Sequence, residues 1–175
     1  MTATLATPVD TIVLAHIESP VGPLLAGSTA RGICLLEFSE PERLTAQLAA
    51  VRRHYSASTV RGTNSHLEQL AAELTEYFAR NLREFTVPLE IAGSDFQRAV
   101  WKQLRQIPYG ETRSYEDVAV AAGSPKSMRA VGTANGQNRI AIAIPCHRVI
   151  NKGGKLGGYG GGLDRKKFLL NLERR

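Results

Sequence analysis

The chain has 175 residues, of which 43% are hydrophobic and 22% are charged, and its formal net charge is +6. This is the composition of a globular protein with one large or two small cores, and no apolar run is long enough to span a membrane. The N-terminus lacks the basic segment and long apolar core of a signal peptide, so we expect a cytoplasmic protein. Cys34 and Cys146 are expected to be reduced thiols, because a chain of this size needs no disulfide.

The first half of the chain has the hydrophobic spacing of a small α+β unit. Its predicted elements are two strands of a hairpin, a third apolar strand and two helices: Thr11–Ile17, Gly22–Ser28, Ile33–Phe38, Pro41–Arg53 and Ser65–Arg80. No residue here stands out as catalytic. We therefore interpret residues 1–91 as a scaffold domain.

The hydrophobic pattern breaks after Ile91, and residues 92–175 are predicted to form a second, mostly helical domain. Its predicted helices are Phe96–Ile107, Ser114–Ala122, Lys126–Asn135 and Leu163–Glu173. The second and third of these are short and are joined by a glycine-containing turn, which is the outline of a helix-turn-helix. Such helix pairs are common in proteins of many kinds, so this outline alone leaves DNA binding open.

The two halves differ in charge. Residues 1–91 carry seven Lys/Arg and ten Asp/Glu, whereas residues 92–175 carry fifteen and six. A basic half beside an acidic one indicates a polyanion-binding surface, although a solubilising basic face is the alternative. The second helix of the predicted pair supplies the candidate contacts, which are Lys126, Ser127, Arg129, Ala130, Thr133 and Asn135.

A candidate nucleophile follows a predicted short strand over 140–144, where Cys146, His147 and Arg148 are consecutive. Cysteine reacts as the thiolate, and its ordinary pKa of about 8.5 leaves little of it ionised at neutral pH without a base or a cation nearby. His147 can serve Cys146 directly only if the chain turns there, and otherwise a water must relay the proton. Glu173 could reach back to orient His147. A cysteine buried as a small hydrophobic residue is the alternative at this point.

A glycine-rich segment over 153–162 follows, with Tyr159 among seven glycines. It lacks the spacing of a phosphate-binding Walker loop. Glycines let the backbone approach a ligand closely, and Tyr159 could wall off a flat substrate. A flexible linker is the alternative, but a predicted helix follows at once. Two cysteines this far apart, without a Cys-x-x-Cys motif, do not make a structural zinc site, so no metal and no other cofactor is expected.

The sequence Ile-Pro-Cys-His-Arg-Val-Ile at 144–150 resembles the signature of the alkylguanine-DNA alkyltransferases, also called methylated-DNA–protein-cysteine methyltransferases. The similarity continues through Phe96–Trp101, Ile107–Thr112, Arg129–Gly132, Ala134–Gly136, Gly158–Tyr159 and Arg165–Glu173. It covers the second half in order and spacing, and the first half only in general plan. The resemblance implies an α+β fold, with a small ribonuclease H-like N-terminal α/β domain and a mostly helical C-terminal domain that carries a helix-turn-helix and an active-site loop.

The resemblance implies a direct-reversal DNA repair protein. Cys146 would take the alkyl group from O6 of guanine, and also from O4-alkylthymine, in one irreversible transfer that inactivates the protein. His147 would act as general base through a bridging water and would be held by Glu173. Asn138 would brace the turn between the second helix of the predicted pair, which would be the recognition helix, and the segment around Cys146, the cysteine loop. Tyr115 would press on the 3′ phosphate and promote rotation of the nucleotide.

The resemblance also implies the DNA contacts and the pocket. Arg129 would enter the base stack and fill the gap left by the flipped guanine. Further DNA contacts would come from Lys126, Ser127, Ala130, Thr133, Asn135 and Arg148. Val149, Tyr159 and Gly160 would form the guanine pocket, with Lys166 near its mouth. Position 160 is Gly where some family members have Ser, which would alter the tolerance for bulky alkyl groups.

The implied partner is double-stranded DNA that carries alkylated guanine, bound by a protein that is monomeric in solution, with cooperative assembly on DNA left open. The cysteine-rich N-terminal segment of adaptive-response regulators and the zinc ligands of some animal members are missing from the sequence. The alternatives are a non-catalytic alkyltransferase-like damage-binding protein, a helix-turn-helix transcription regulator and a thiol hydrolase that turns over.

Overall fold

The N-terminal half is built on a four-stranded sheet with two helices. The computed structural model describes residues 10–174, and residues 1–9 and Arg175, the outer ends of the two predicted domains, lie outside the described residues. The elements of this half are, in chain order, β1 (Thr11–Ile17), β2 (Leu24–Ser28), β3 (Ile33–Phe38), α1 (Pro41–Tyr55), β4 (Ser58–Arg61) and α2 (Ser65–Phe78). The strand order is β3-β2-β1-β4, with antiparallel pairing except between β1 and β4.

Capping and burial explain where these elements form. Pro41 stands in the first turn of α1, where its missing N–H has no helical partner to lose. Asn64 caps α2 by accepting a hydrogen bond from the backbone N–H of Leu67, and Leu70 and Leu74 bury the same face of that helix. The three predicted strands and two predicted helices of this half are confirmed. Strand β4 was not predicted, because this mostly exposed strand carries no apolar pattern.

The C-terminal half is mostly helical. Its elements are α3 (Asp95–Leu104), β5 (Arg113–Ser114), α4 (Tyr115–Ala121), α5 (Met128–Gly136), a 3₁₀ turn (Cys146–Arg148), β6 (Val149–Ile150) and α6 (Leu163–Glu173). Reciprocal capping boxes at Ser94 and Ser114 begin α3 and α4. The predicted helix-turn-helix consists of α4 and α5, and α3 packs against both. No helix within residues 10–174 is long and apolar enough to cross a membrane.

The second helix of the helix-turn-helix is shorter than predicted at its start. It begins at Met128, because Lys126 lies in a turn that is closed by a hydrogen bond from the N–H of Ser127 to the carbonyl of Ser124. Lys126 and Ser127 therefore precede α5 instead of forming its first turn.

The prediction of a strand over 140–144 is wrong. Ile140 makes a single bridge to Leu36 of β3, and the chain then turns so that the N–H of Ile144 donates to the carbonyl of Ile140. Ile142 has a φ of 69°, a left-handed conformation that is unusual for a β-branched residue. The apolar alternation of this segment thus reflects burial between the two halves and not an extended chain.

One hydrophobic cluster runs through both halves of the chain. It joins Leu36 and Tyr77 of the N-terminal half to Trp101 and Leu169 of the C-terminal half. The indole N–H of Trp101 donates to the carbonyl of Ala134 at 2.8 Å, which ties α3 to α5. A second, smaller cluster packs on the α1 side of the sheet. The continuous cluster fixes the N-terminal half against the segments that surround Cys146.

The C-cap of α1 offers a test of the backbone geometry. Exposed Ser56 has φ 48° and ψ 41°, a left-handed conformation in which a glycine is free of the steric strain imposed by a Cβ atom. We expect Ser56→Gly to raise the free energy of unfolding by about 1 kcal/mol, measured by urea denaturation. Ser58→Gly, in exposed β4, is the control and should lower it. A destabilised Ser56→Gly variant would contradict this cap.

Candidate active site

A cavity of about 750 Å³ opens between the two halves beside α5. Cys146 lies on its inner wall, with 5% of its surface exposed. The other walls include Phe38, Arg43, Tyr115, Arg129, Gly132, Thr133, Asn135, Tyr159 and Gly160. The predicted acceptor thiol, the recognition helix and the glycine-rich segment therefore face one common space, whose volume is that of a small-molecule site.

The side-chain amide of Asn138 contacts the thiol of Cys146. Asn138 Nδ2 donates to the carbonyl of Ile144 at 2.8 Å and lies 3.1 Å from Cys146 Sγ. Burial raises the pKa of the Cys146 thiol, and the hydrogen bond from Asn138 acts against that rise. The thiol is therefore protonated at neutral pH, and it needs a base to become a nucleophile.

Glu173 is the centre of a buried polar network. Its Oε1 accepts hydrogen bonds from Tyr77 Oη and His147 Nε2, both at 2.7 Å, and from Arg148 Nη2 at 2.9 Å. Its Oε2 accepts from Arg148 Nε at 2.8 Å. Burial alone would raise the pKa of Glu173, but the hydrogen bonds from His147 and Arg148 outweigh it and bring that pKa to about 2. Glu173 is thus a carboxylate at neutral pH.

His147 is neutral and has one nitrogen to spare. Burial lowers the pKa of His147, and the contact with Glu173 only partly opposes this, because Arg148 already balances the charge of that carboxylate. Nε2 therefore carries the proton that is donated to Glu173, and Nδ1 has no hydrogen-bond partner among the described residues. An unpaired Nδ1 is a proton acceptor. The chain also forms a 3₁₀ turn at Cys146–Arg148. The side chains of Cys146 and His147 are therefore not forced to opposite faces, as they would be on an extended strand.

Arg148 and Asn135 lie elsewhere than predicted. Arg148 is 6% exposed, and its guanidinium is occupied by Glu173 and by the carbonyl of Ile107 at 2.6 Å, so this side chain is not available for the predicted DNA contact. Asn135 is buried on the inner face of α5, and its Nδ2 points to the carbonyl of Cys146 at 3.4 Å. Both side chains belong to the interior of the site, because the polar groups of the cysteine loop need buried partners.

The resemblance implied that Lys166 lies near the mouth of the pocket, but the structure has it in the interior. It is fully buried, and its Nζ donates to the carbonyls of Val149 at 2.6 Å, Leu156 at 2.5 Å and Gly158 at 3.2 Å. Burial lowers the pKa of Lys166 to about 8. Lys166 therefore clamps the glycine-rich segment onto the cysteine loop. The carbonyl of Val149, a residue expected in the guanine pocket, is engaged by this clamp.

The other predicted DNA contacts lie on the surface. Lys126, Arg129, Ala130 and Thr133 are exposed, and Ser127 is half-buried. Arg129 borders both the Cys146 cavity and an open groove on the other side of α5, which Lys126, Ala130 and Phe96 also line. Tyr115 lines the cavity at the start of α4, where Gly132 of α5 passes close to its ring.

Residues of the N-terminal half that were not predicted from the sequence complete the site. Phe38 of β3 contacts Tyr159 edge to face, with 5.9 Å between the ring centroids. The guanidinium of Arg43 of α1 lies over Gly160, so close that a Cβ atom at position 160 would clash with it. A side chain at position 160 would therefore have to displace the guanidinium of Arg43. A charged residue within an apolar strand, Glu37, was the available signal in the sequence, because such a charge needs a partner from elsewhere.

Two family models match the chain and together span most of it. The ribonuclease-like domain of 6-O-methylguanine DNA methyltransferase matches residues 12–91, and the DNA binding domain of 6-O-methylguanine DNA methyltransferase matches residues 95–175. The chain belongs to this methyltransferase family. The resemblance stated from the sequence is confirmed, and so is the α+β fold with a helical C-terminal half.

Named relatives and solved structures agree with this family. The chain is 45% identical over 157 residues to a methylated-DNA–protein-cysteine methyltransferase of Methanosarcina barkeri, covering 90% of this chain and 94% of the relative. It is 47% identical over 162 residues to that of Mycobacterium tuberculosis, covering 90% of each. The crystal structure of Mycobacterium tuberculosis OGT in complex with DNA matches with a TM-score of 0.78 and 42% identity, over 94% of this chain and 92% of that one.

The buried carboxylate predicts a dependence of stability on pH. Glu173 takes a proton near its ordinary pKa of 4.5 in the unfolded chain but only near 2 in the folded chain. Its stabilisation is therefore complete above about pH 4.5 and is lost as the pH falls from there toward 2. We expect Glu173→Gln to be less stable than wild type by about 3–5 kcal/mol at neutral pH, because Arg148 is left unpaired.

The gap in stability between wild type and Glu173→Gln should narrow as the pH is lowered through this range. Urea denaturation at several pH values measures it, with Glu76→Gln, an exposed residue of α2, as the control. A gap that stays constant down to acid pH would show that Glu173 is not held as a carboxylate.

Proposed function

We propose that this protein repairs alkylated DNA directly, by transferring the alkyl group from O6 of guanine to Sγ of Cys146. The observation that carries the proposal is that this thiol lies on the wall of a cavity large enough for a nucleotide base, next to α5, and is followed in the chain by His147, which is paired with buried Glu173. The same chemistry extends to O4-alkylthymine. A non-catalytic damage-binding role is disfavoured, since the acceptor cysteine is present.

The reaction needs no group beyond those of the chain and the DNA. His147 Nδ1 takes the thiol proton through a water, and Glu173 stabilises the resulting imidazolium. The thiolate attacks the alkyl carbon, so that a C–S bond forms and the C–O6 bond breaks. The electron pair of the broken bond stays on guanine, which takes up a proton and is restored. The thioether has no leaving group that water could displace, so each chain acts once.

The cavity requires the guanine to leave the duplex, because Cys146 is buried within the protein. Flipping a base costs a few kcal/mol. Arg129 borders the cavity mouth on exposed α5, where it can fill the vacated place in the stack. Tyr115, at the start of α4, can press on the 3′ phosphate. Small side chains on the outer face of α5 suit an approach from the minor groove, with little dependence on base sequence.

The remaining features of the proposal concern the partner and the setting. The partner is double-stranded DNA with an alkylated guanine, bound through the basic residues 92–175 by a monomer, with cooperative assembly on DNA as a further property. A reduced thiol fits a cytoplasmic location. We also propose that the chain divides into domains at residues 91 and 92, which is supported by the two matched families ending at 91 and beginning at 95.

Direct transfer predicts a covalent product on one residue. Incubation with duplex oligonucleotide that carries one O6-methylguanine should methylate the peptide containing Cys146, once per chain, as read by mass spectrometry. Cys146→Ala should still bind DNA but remain unmodified. Cys34→Ala is the matched control and should transfer as wild type does, because Cys34 is fully buried and burial raises its pKa to about 12. Several turnovers per chain, or methylation elsewhere, would refute the proposal.

If Arg129 acts as a wedge that fills the place of the flipped guanine, its loss should affect the transfer rate differently on duplex and single-stranded substrates. Arg129→Ala should slow transfer from duplex DNA by roughly tenfold or more, because flipping loses its support, and should change transfer from single strands far less. Arg52→Ala removes an equal charge from exposed α1 and should have little effect on either substrate. Equal losses on duplex and single strands in Arg129→Ala would argue against a wedge.

A further inference from the structure

Side chains of the N-terminal half hold the C-terminal end of α5. Arg43 Nη1 donates to the carbonyl of Gly136 at 2.8 Å, and Gln47 Nε2 donates to the carbonyl of Asn138 at 3.0 Å. The last carbonyls of a helix have no partner within it, and a cation is favoured at this end of the helix dipole. These contacts therefore satisfy acceptors that would otherwise be unpaired between the two halves.

A buried carboxylate fixes both of these side chains. Glu37 of β3 has no exposed side-chain surface, and its Oε2 lies 3.1 Å from Arg43 Nε and accepts from Gln47 Nε2 at 3.3 Å. Burial raises the pKa of Glu37, and the nearby charge of Arg43 opposes that rise. A buried charge is costly unless it is compensated. The compensation here comes from the two side chains that reach α5 and from the backbone N–H of Phe38, which donates to Glu37 Oε1 at 2.9 Å.

Asn138 connects this arrangement to the reacting sulfur. Its carbonyl accepts the hydrogen bond from Gln47 and a longer one from Arg43 Nη2 at 3.4 Å. Its own Nδ2 donates to the carbonyl of Ile144 and to Cys146 Sγ. Its Oδ1 accepts from the N–H of Ile140 at 3.0 Å. Side chains of the N-terminal half therefore hold the backbone of Asn138. The side chain of Asn138 in turn directs an N–H donor at the sulfur of Cys146.

We propose that Gln47 is a positioning residue for the alkyl transfer: anchored by Glu37, it fixes Asn138 so that the Asn138 amide donates to Cys146 Sγ. This inference rests on the proposed function and deepens it. A hydrogen bond to sulfur stabilises the thiolate over the thiol. The N-terminal half then contributes to the reactivity of the acceptor, beyond forming a wall of the cavity.

Gln47→Met tests this proposal without changing any charge. The rate at which iodoacetamide alkylates Cys146 is measured against pH by mass spectrometry of the Cys146 peptide. We expect the midpoint of this pH profile to move upward and the rate near neutral pH to fall by about threefold to tenfold, since one unit of pKa is tenfold in thiolate. With methylated duplex, the Kd should stay unchanged and the single-turnover transfer rate should fall by a similar factor.

Gln69→Met is the matched control. Gln69 of α2 also donates to a carboxylate of the N-terminal half, Glu73 at 2.9 Å, but it has no contact with the cysteine loop. Its variant should lose stability and keep the wild-type pH profile of Cys146. The charged and titratable groups around the thiol are the same in both variants, namely Glu37, Arg43, Tyr115, His147, Tyr159 and Lys166.

The outcomes separate positioning from a merely structural role. A folded Gln47→Met variant with the wild-type profile and transfer rate overturns the proposal. If Gln47→Met does not fold, Gln47→Asn decides, because its shorter amide cannot reach both Glu37 and Asn138: a smaller upward shift supports the proposal, and no shift overturns it. If wild type fails to transfer from DNA while the iodoacetamide profile still shifts, the proposed function fails and the effect of Gln47 on the thiol stands.

Discussion

The site depends on one buried charge, the carboxylate of Glu173. A carboxylate that is buried away from water is tolerated only when a counter-charge and hydrogen bonds replace its hydration. The carboxylate of Glu173 accepts hydrogen bonds from Tyr77, His147 and Arg148. Arg148 neutralises the charge, so His147 can stay neutral and keep Nδ1 for a proton. If Arg148 instead pointed to solvent, the unneutralised carboxylate of Glu173 would raise the pKa of His147. The imidazolium form would then be favoured, and it cannot accept a proton. The arrangement of the cysteine loop follows from this balance.

The two halves of the chain form one working unit. Tyr77 reaches from α2 to Glu173, Phe38 and Arg43 line the cavity, and the hydrophobic cluster is continuous across the boundary. The N-terminal half, which the sequence suggested was only a scaffold, therefore touches the site at several points. Its role is to hold the cysteine loop and the end of α5 in one geometry, as expected for groups that must be preorganised.

Local sequence patterns were sufficient for the strands β1–β3, for the helices and for the chemistry of the Cys146 segment, because capping residues, hydrophobic periodicity and the signature lie within short stretches. They failed where a residue's role depends on a distant partner. Arg148 was expected to contact DNA and Lys166 to lie near the mouth of the pocket, but Glu173 holds Arg148 inside and three backbone carbonyls hold Lys166 there. The β-branched residues at alternate positions over 140–144 are typical of a strand, but a turn that is buried on both sides can carry the same apolar residues. The cavity-lining role of Arg43 was signalled only indirectly, by the charge of Glu37 within an apolar strand.

The placement of the two sulfur atoms has a consequence for oxidative damage. Cys34 lies in the cluster on the α1 side of the sheet, while Cys146 lies in the cluster shared by both halves. Each thiol is thus walled off from the other, so an oxidised Cys146 has no second cysteine of its own chain with which to form a disulfide. A sulfenic acid at this position must be reduced by an external thiol or proceed to irreversible states. The cavity opening that is proposed to admit a flipped base also admits peroxide, and Cys34 cannot reverse the oxidation of Cys146.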